Sequence, residues 1–349
     1  MKSLYIGLAL LTGLFFASCK KESKHLAVAT PTVYAAGYVR NTAGATGITV
    51  ATLWTNGVPT SLGDNTYASN IGPIYVNGTD VYTTGWQYNG SFAVATLWKN
   101  GVATNLTDGT YDAFAGSVYV NATDVYVLGT LNQHVAGYGL KIIPTLWTNG
   151  VATTLAGAPN GAGPSSMFVN GADVYIVGTV YGSPNGIATL WKNGVPTNLS
   201  DGTNQDNAVS VFVNGSDVYV AGYEVNAGNT AATVKLWKNG VVTNLTDGTT
   251  YDNANALYVD GSDVYVVGQS QDSSGAYFAT LWKNGVATNL TDGINIGYAT
   301  AVYVNGSDVY VAVNELNDVV TTAKIWKNGV LTNLSDGIRD ATVYGLLVK

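Results

Sequence analysis

The chain has 349 residues, 46% of them hydrophobic, with 42 Gly and 23 Tyr but only 11% charged residues. That composition excludes a disordered chain and supplies a large core under a weakly charged, turn-rich surface. Fifteen Lys and Arg stand against 22 Asp and Glu, and the resulting charge of −7 repels a phosphate backbone and argues against nucleic acid as a partner.

The first segment, residues 1–18, carries a basic Lys2, an apolar run from Leu4 to Phe16, and the small residues Ala17 and Ser18 before Cys19, the only cysteine. This three-part layout predicts an export signal, since the apolar run is short for a bilayer-spanning helix of roughly 20 residues. Phe16-Ala17-Ser18-Cys19 resembles the lipobox of bacterial lipoproteins. The resemblance implies that Cys19 is acylated and becomes the new N-terminus, so that the membrane is engaged through the lipid anchor alone. With no second cysteine, no disulfide competes for this thiol. Residues 19–30 then form the lipidated cysteine and a polar tether. Lys20, where Asp signals inner-membrane retention in some bacteria, implies outer-membrane placement in the cell envelope.

Beyond the tether, tryptophans in the motif LW or IW fall at 54, 98, 147, 191, 237, 282 and 326. The intervals of 44 to 49 residues match the period of four-stranded propeller blades. Each unit reads as four short strands, which in the fifth copy are Ser210–Val213 (a), Asp217–Tyr223 (b), Ala232–Trp237 (c) and Val241–Leu245 (d). Asn-Gly between alternating β-branched and aromatic runs is a hairpin signal. The turns Asn214-Gly215-Ser216 and Lys238-Asn239-Gly240 therefore pair a with b and c with d. The b–c and d–a connections vary instead, from Trp86–Phe92 in one unit to Thr130–Pro144 in another, and all lie at one end of their strands.

The chain ends do not match whole units. Residues 32–38 read as a strand b with no strand a before it, and residues 341–347 as a strand a with nothing after it. Pairing the two completes a unit and closes a ring, leaving only short outer edges. The sequence thus predicts an all-β fold over residues 31–349: a seven-bladed β-propeller of four antiparallel strands per blade, closed by the C-terminal strand on the first three.

The order of motifs in each unit, an apolar strand, a Gly-containing turn, the run DVYVAG, a loop and a strand ending in a turn, resembles the NHL repeat and related bacterial propeller repeats from about residue 32 to 349. The resemblance implies that strand a lines a central channel, as at Val118–Val120, Val211–Val213 and Val302–Val304, and that Val102–Leu106 and Val286–Leu290 form the rim. Two departures stand out: an irregular segment, Ala156–Pro164, in the fourth unit, and Val313 in the seventh where strand b otherwise has Gly.

Recurrent residues most simply serve the repeat. The seven tryptophans could stack on sugars, but their regular return favours packing between blades. Asp80, Asp124, Asp173, Asp217, Asp263 and Asp308 each follow a hairpin turn, where a carboxylate bonds local N–H groups, and Asp108, Asp201, Asp247, Asp292 and Asp336 read the same way in their D-G turns. Lys99, Lys192, Lys238, Lys283 and Lys327 read as turn residues facing solvent. Matches to N-x-[ST], as at Asn77, Asn105, Asn214 and Asn289, read as turn and strand chemistry.

No catalytic, metal or cofactor site is expected. Only His25 and His134 occur, too few for a multi-histidine metal centre. Only Arg40 and Arg339 occur, which excludes the arginine triad of sialidase-like propellers. Glu224 and Glu315 hold equivalent positions after strand b, yet two blades apart they are too distant for glycoside hydrolysis, whose carboxyls lie within roughly 5–10 Å. A glycan lyase or hydrolase would need acids and a base grouped in one pocket, from Glu224, Asp206, Asp252 and His134.

The variable end remains as the ligand face, because functional groups ride on loops held by a rigid scaffold. Just before each strand a, near the expected channel mouth, the equivalent positions are Asn70, Phe114, Gly163, Asn207, Asn253, Tyr298 and Arg339, with Trp86, Tyr88, Tyr111, Tyr138, Tyr181, Tyr251 and Tyr277 around them. Aromatics beside Asn and Asp suit protein loops or carbohydrate. The expectation is a membrane-anchored binding propeller for a protein or carbohydrate ligand, with Asn70, Trp86, Phe114, Asn207, Asn253, Tyr298 and Arg339 as contacts. The alternative is a structural or adhesin-like envelope protein using its rim or repeated turns.

Overall fold

The computed structural model describes residues 30–135, 139–182 and 185–349; the leader, Cys19 and Tyr138 lie outside the described residues. Among the described residues, twenty-eight strands form seven four-stranded antiparallel sheets, each in the order a-b-c-d. Each strand a lies against strand a of the blades on either side, and the series returns to its start, so the seven sheets form a ring around an axis lined by the a strands. Blades are numbered by their tryptophans, so that blade 1 contains Trp54 and blade 7 Trp326.

Blade 1 joins the two chain ends. The last strand, Ala341–Val348, pairs antiparallel with the first, Val33–Arg40, in a register running from Val33↔Val348 to Val39↔Ala341. Thr32 and Lys349 exchange backbone hydrogen bonds at its end, of 2.6 and 2.9 Å. Asp340 clasps the other end: its carboxylate accepts from the Tyr38 hydroxyl (3.0 Å), Arg40 Nε (3.2 Å) and the Thr321 amide of blade 7 (2.9 Å). Burial alone would raise the Asp340 carboxyl, but the Thr321 amide, the Tyr38 hydroxyl and Arg40 outweigh it and hold the group below the ordinary carboxylate value. Tyr38 itself is pushed up to about 12, chiefly by burial, so it remains a donor at neutral pH.

The tight turns explain why the unit repeats so faithfully. In every c–d turn an Asn sits in the left-handed region, at φ from 45° at Asn328 to 52° at Asn239, followed by a Gly that is also positive, the signature of a type I′ hairpin. The same Asn reaches sideways. Asn100 Oδ1 accepts the Val81 amide at 2.8 Å and its Nδ2 donates to Asp80 at 2.8 Å, locking the c–d turn to the start of strand b. The expectation for the hairpin carboxylates is corrected here. Asp80, Asp173, Asp217, Asp263 and Asp308 bond the neighbouring c–d turn rather than local N–H groups, and each pairs with the lysine of that turn at 2.7–2.8 Å. Those lysines, read from sequence as facing solvent, also lie over a tyrosine ring of the same blade, as Lys99 does over Tyr82 at 5.4 Å. The D-G turns behave as expected: Asp108, Asp201 and Asp247 accept the amide two residues on.

Strand a is longer than the sequence suggested. In blade 5 it runs Gln205–Asn214, because a β-bulge skips one residue between Ala208 and Ser210 and pairing then resumes. Every blade has this irregularity, and it accounts for the glycine in strand b. At Gly129 an added Cβ would lie 2.0 Å from the Phe114 carbonyl oxygen, and Gly37, Gly85, Gly222 and Gly268 face the equivalent carbonyl just as closely. Val313 of blade 7 is buried at the corresponding position; nothing in the structure explains how that blade dispenses with glycine. The b–c connection of blade 3 also differs from a loop: strands Asp124–Val135 and Gly139–Thr148 extend into a long hairpin arm.

The core lies between blades. Six tryptophans are at most 1% exposed, and three of their indole N–H groups donate to the preceding blade's d–a segment, Trp54 to Leu334 (3.1 Å), Trp191 to Ala156 (2.8 Å) and Trp237 to Leu199 (3.1 Å), whereas the buried Trp98 N–H has no partner among the described residues. Packing, not sugar stacking, is their role, and Ala156 of the irregular segment is part of it.

Three outcomes test these local arguments. Gly129→Ala should destabilise the ring by about 2–3 kcal/mol in urea denaturation, since backbone must move to admit the methyl. Ala122, at φ 53° where other a–b turns have Gly, should gain about 1 kcal/mol as Ala122→Gly. The stabilisation from Asp340 is complete above the ordinary carboxylate pKa and is lost as pH falls through its lower folded value. The Tm advantage over Asp340→Asn should therefore shrink below about pH 4; a constant difference from pH 7 to acid would contradict the clasp.

Candidate functional site

Six of the seven residues expected just before strand a belong to that strand and pair with strand b. The cross-strand pairs are Asn70↔Trp86, Phe114↔Thr130, Asn207↔Tyr223, Asn253↔Gln269 and Tyr298↔Asn314. Each stands two residues before the bulge, at the loop end of the channel. Arg339 does not belong to this set. The bulge of the last strand falls at Tyr344, so Thr342, paired with Tyr38, holds the equivalent place. Arg339 instead pairs with Asp336 at 3.1 Å on the d–a turn and is half exposed there.

The bulged residues themselves point to the axis. Around the ring they are Gly72-Pro73, Gly116, Ser165, Val209, Asn255, Thr300 and Tyr344. Most of these line an axial cavity of about 200 Å³, together with Ser117, Ser166 and Ser210 of the next layer. Inner strands are also cross-linked there: Asn255 Nδ2 donates to the Ala299 carbonyl, Thr300 Oγ1 to the Val343 carbonyl, and the Leu257 amide to Ser210.

The ring is not symmetric at this level. Blades 2 and 3 place glycine at the bulge, and the missing side chains leave a cavity of about 310 Å³ at the mouth. Its walls are Asn70, Trp86, Pro73, Ala115 and Tyr344. Phe114 stands behind Trp86, edge to face at a centroid distance of 6.0 Å, and Tyr38 flanks Tyr344 at 6.2 Å. Burial, partly offset by the Asn70 amide, raises the Tyr344 hydroxyl, which stays neutral. Asn70 Oδ1 is screened from solvent and has no hydrogen-bond partner among the described residues, leaving an acceptor whose desolvation is uncompensated. Neither glycine is sterically required: a Cβ on Gly72 would meet only Tyr344 Cβ at 3.7 Å, and one on Gly116 only a carbonyl oxygen at 4.0 Å.

Of the expected contacts, the structure therefore brings Asn70, Trp86 and Phe114 together. Asn207, Asn253 and Tyr298 lie on the same rim in blades 5, 6 and 7. Asn207 accepts from Thr179 at 3.2 Å, and Tyr298, raised by burial, is engaged with Thr342 and Thr321. Tyr88, Tyr111 and Tyr181 are exposed on the loop end.

Glu224 and Glu315 lie within strand b, not after it, and each is neutralised in its own blade. Lys235 bridges Glu224 and Asp206, 3.2 Å from the latter, in blade 5, and Lys324 pairs with Glu315 in blade 7. Burial raises the Asp206 carboxyl, with Lys235 opposing. Asp252 is buried in blade 6, accepting the Gln271 amide at 2.9 Å, and His134 is on the hairpin arm of blade 3. These groups sit in four different blades.

Two features escaped the sequence. Tyr344 had been assigned only to the closing strand, although it supplies one wall of the cavity. An aromatic belt also rings the channel three residues after the bulge: Tyr75, Tyr119, Phe168, Phe212, Tyr258 and Tyr303 contact in succession with centroids 4.6–5.6 Å apart. Burial raises Tyr75 and Tyr258, which keeps the belt uncharged. The signal was present, as an aromatic next to the last valine of every strand a from blade 2 to blade 7.

No protein-family model matches the chain, and no curated protein matches it. Among solved structures it is similar in fold to a puromycin-hydrolysing peptidase of Mycobacterium tuberculosis, with a TM-score of 0.55 and 11% identity, over 82% of this chain and 50% of that one. The chain thus spans half the length of that structure, and the likeness is one of propeller fold.

Proposed function

We propose that the protein is a lipid-anchored binding propeller of the bacterial cell envelope, exported by its leader and held through Cys19, which captures a carbohydrate unit at the channel mouth. The leader's lipobox and the NHL-like repeat order support the anchored, non-enzymatic reading. The observation that carries the binding site is the glycine-made cavity between blades 2 and 3. Aromatic walls at Trp86 and Tyr344 suit the C–H faces of a sugar ring, and the unpaired Asn70 oxygen accepts a hydroxyl. A protein ligand is the second reading, favoured by Tyr67, Tyr88, Phe92 and Tyr111, which are exposed on the loops of the same side.

The cavity can be closed without harming the fold. Gly116→Leu adds a side chain into open space, so the variant should keep the wild-type melting temperature. On a glycan array probed with residues 30–349, it should lose the signals that the wild type gives. Trp86→Ala should weaken the same signals by about tenfold or more, in line with losing an aromatic anchor. Retained binding by a well-folded Gly116→Leu would exclude this cavity as the site.

A further inference from the structure

The two ends of the ring differ in more than loop length. All a–b and c–d turns lie at one end, and the described chain enters there: the Val33 amide donates to Asn56 of the blade 1 c–d turn, Thr32 pairs with Lys349, and the Lys349 ammonium reaches the Gly78 carbonyl of the next blade. At the same end each outermost strand begins with a valine immediately after its Asn-Gly turn. Val58, Val102, Val151, Val195, Val241, Val286 and Val330 are 64–71% exposed, forming seven apolar points around the perimeter.

Charge is partitioned along the same axis. At the turn end, Asp80, Asp124, Asp173, Asp217, Asp260, Asp263 and Asp308 stand against Lys99, Lys192, Lys238, Lys283, Lys327 and Lys349, seven acids to six bases. The loop end carries the other fourteen acids of the described residues and only five bases, a net of −9. Against an anionic lipid surface the loop end is strongly repelled and the turn end is nearly indifferent, within a Debye length.

We infer that the turn end is a lipid-docking surface: its seven valines rest in the headgroup region of the bilayer, and the channel mouth points away from the membrane. The inference rests on the lipid anchor at Cys19 proposed above. From Cys19 to Thr32 the chain has thirteen peptide units, a reach of at most about 45 Å when extended. That tether leaves from the docking face itself, so the ring need not turn over to lie down. Apolar side chains at an interface add to an acyl anchor that alone holds only marginally. The even spacing of the valines around the rim favours a flat seat over tilting on one edge.

The test uses the acylated full-length protein, in which a cysteine introduced at an exposed position is the only free thiol. Thr79→Cys and Ser262→Cys mark the turn end, and Ser91→Cys and Ser273→Cys the loop end. Each is labelled with a fluorophore in vesicles of phosphatidylethanolamine and phosphatidylglycerol at roughly 3:1, an anionic surface, containing a headgroup-linked quencher. Turn-end labels should be quenched about fivefold more than loop-end labels, as burial at the interface requires. Val102→Ser, Val195→Ser and Val286→Ser together should remove most of that difference while the melting temperature holds. Equal quenching of both ends in an anchored protein would overturn the docking surface. A Cys19→Ser variant that stays in the membrane fraction as the wild type does would overturn it through the anchor instead. A valine-dependent dimer in light scattering would assign the face to a second copy and also overturn it. Glycan capture by the Gly116 cavity is read on the unanchored ring and stands or falls separately.

Discussion

The pairing of the first and last strands is the constraint on which the molecule depends. Thirteen of the fourteen hairpin connections between neighbouring a–b and c–d strands are short local turns, whereas the a–b pair of blade 1 joins residues more than 300 positions apart. Without it, strand Val33–Arg40 loses its inner neighbour, and the inner strands of blades 7 and 2 lose the partner between them. The loop-closure entropy of so long a segment is met once, by a full strand ladder, by the Asp340 clasp, and by the burial of Ala341, Val343, Leu346 and Val348 against blade 7.

Closure also shapes the channel, because the seam is its least regular part. Tyr344 is the bulge residue of the closing strand, and it faces blades 2 and 3, whose bulges are glycine. The largest side chain in that layer thus stands beside the smallest. A ring of identical units would produce an axial pore and nothing else; here the exchange of Ser, Asn or Thr for Gly at two positions produces a lateral cavity with Trp86 as its far wall. Three residues further along strand a, the aromatic belt of blades 2 to 7 ties neighbouring inner strands together through packed rings. Repetition serves stability in this protein, and departures from repetition make the cavity.

The blade count, strand order and seam were legible in the sequence because Asn-Gly turns and period-2 strands are local signals, and because the missing strand at one end matched the surplus at the other. The bulge was not, since it depends on how strand a bends around the axis, and the only trace was the strand b glycine. Missing it shortened strand a in prospect and placed Arg339 three residues out of register, where Thr342 belongs. The partnership of Asp80 with Lys99 and Asn100 was hidden for a similar reason: side chains nineteen or twenty residues apart meet only once both hairpins of a blade are stacked. Asn70, Trp86 and Phe114 could be picked out as exceptions to the repeat, but the cavity between them is made by absent atoms at Gly72 and Gly116, which sequence does not weight.

Ring closure is tested most directly by a cross-link at the seam. Val33 and Val348 are register partners next to the hydrogen-bonded Thr32–Lys349 pair, a narrow site whose Cα separation suits a disulfide. In a Cys19→Ser background, Val33→Cys with Val348→Cys should oxidise within one chain, in dilute solution, and raise the urea midpoint by an amount corresponding to roughly 5–6 kcal/mol for so long a loop. Free thiols under oxidising conditions, or links formed only between chains, would show that the ends do not meet and that the blades are not a ring.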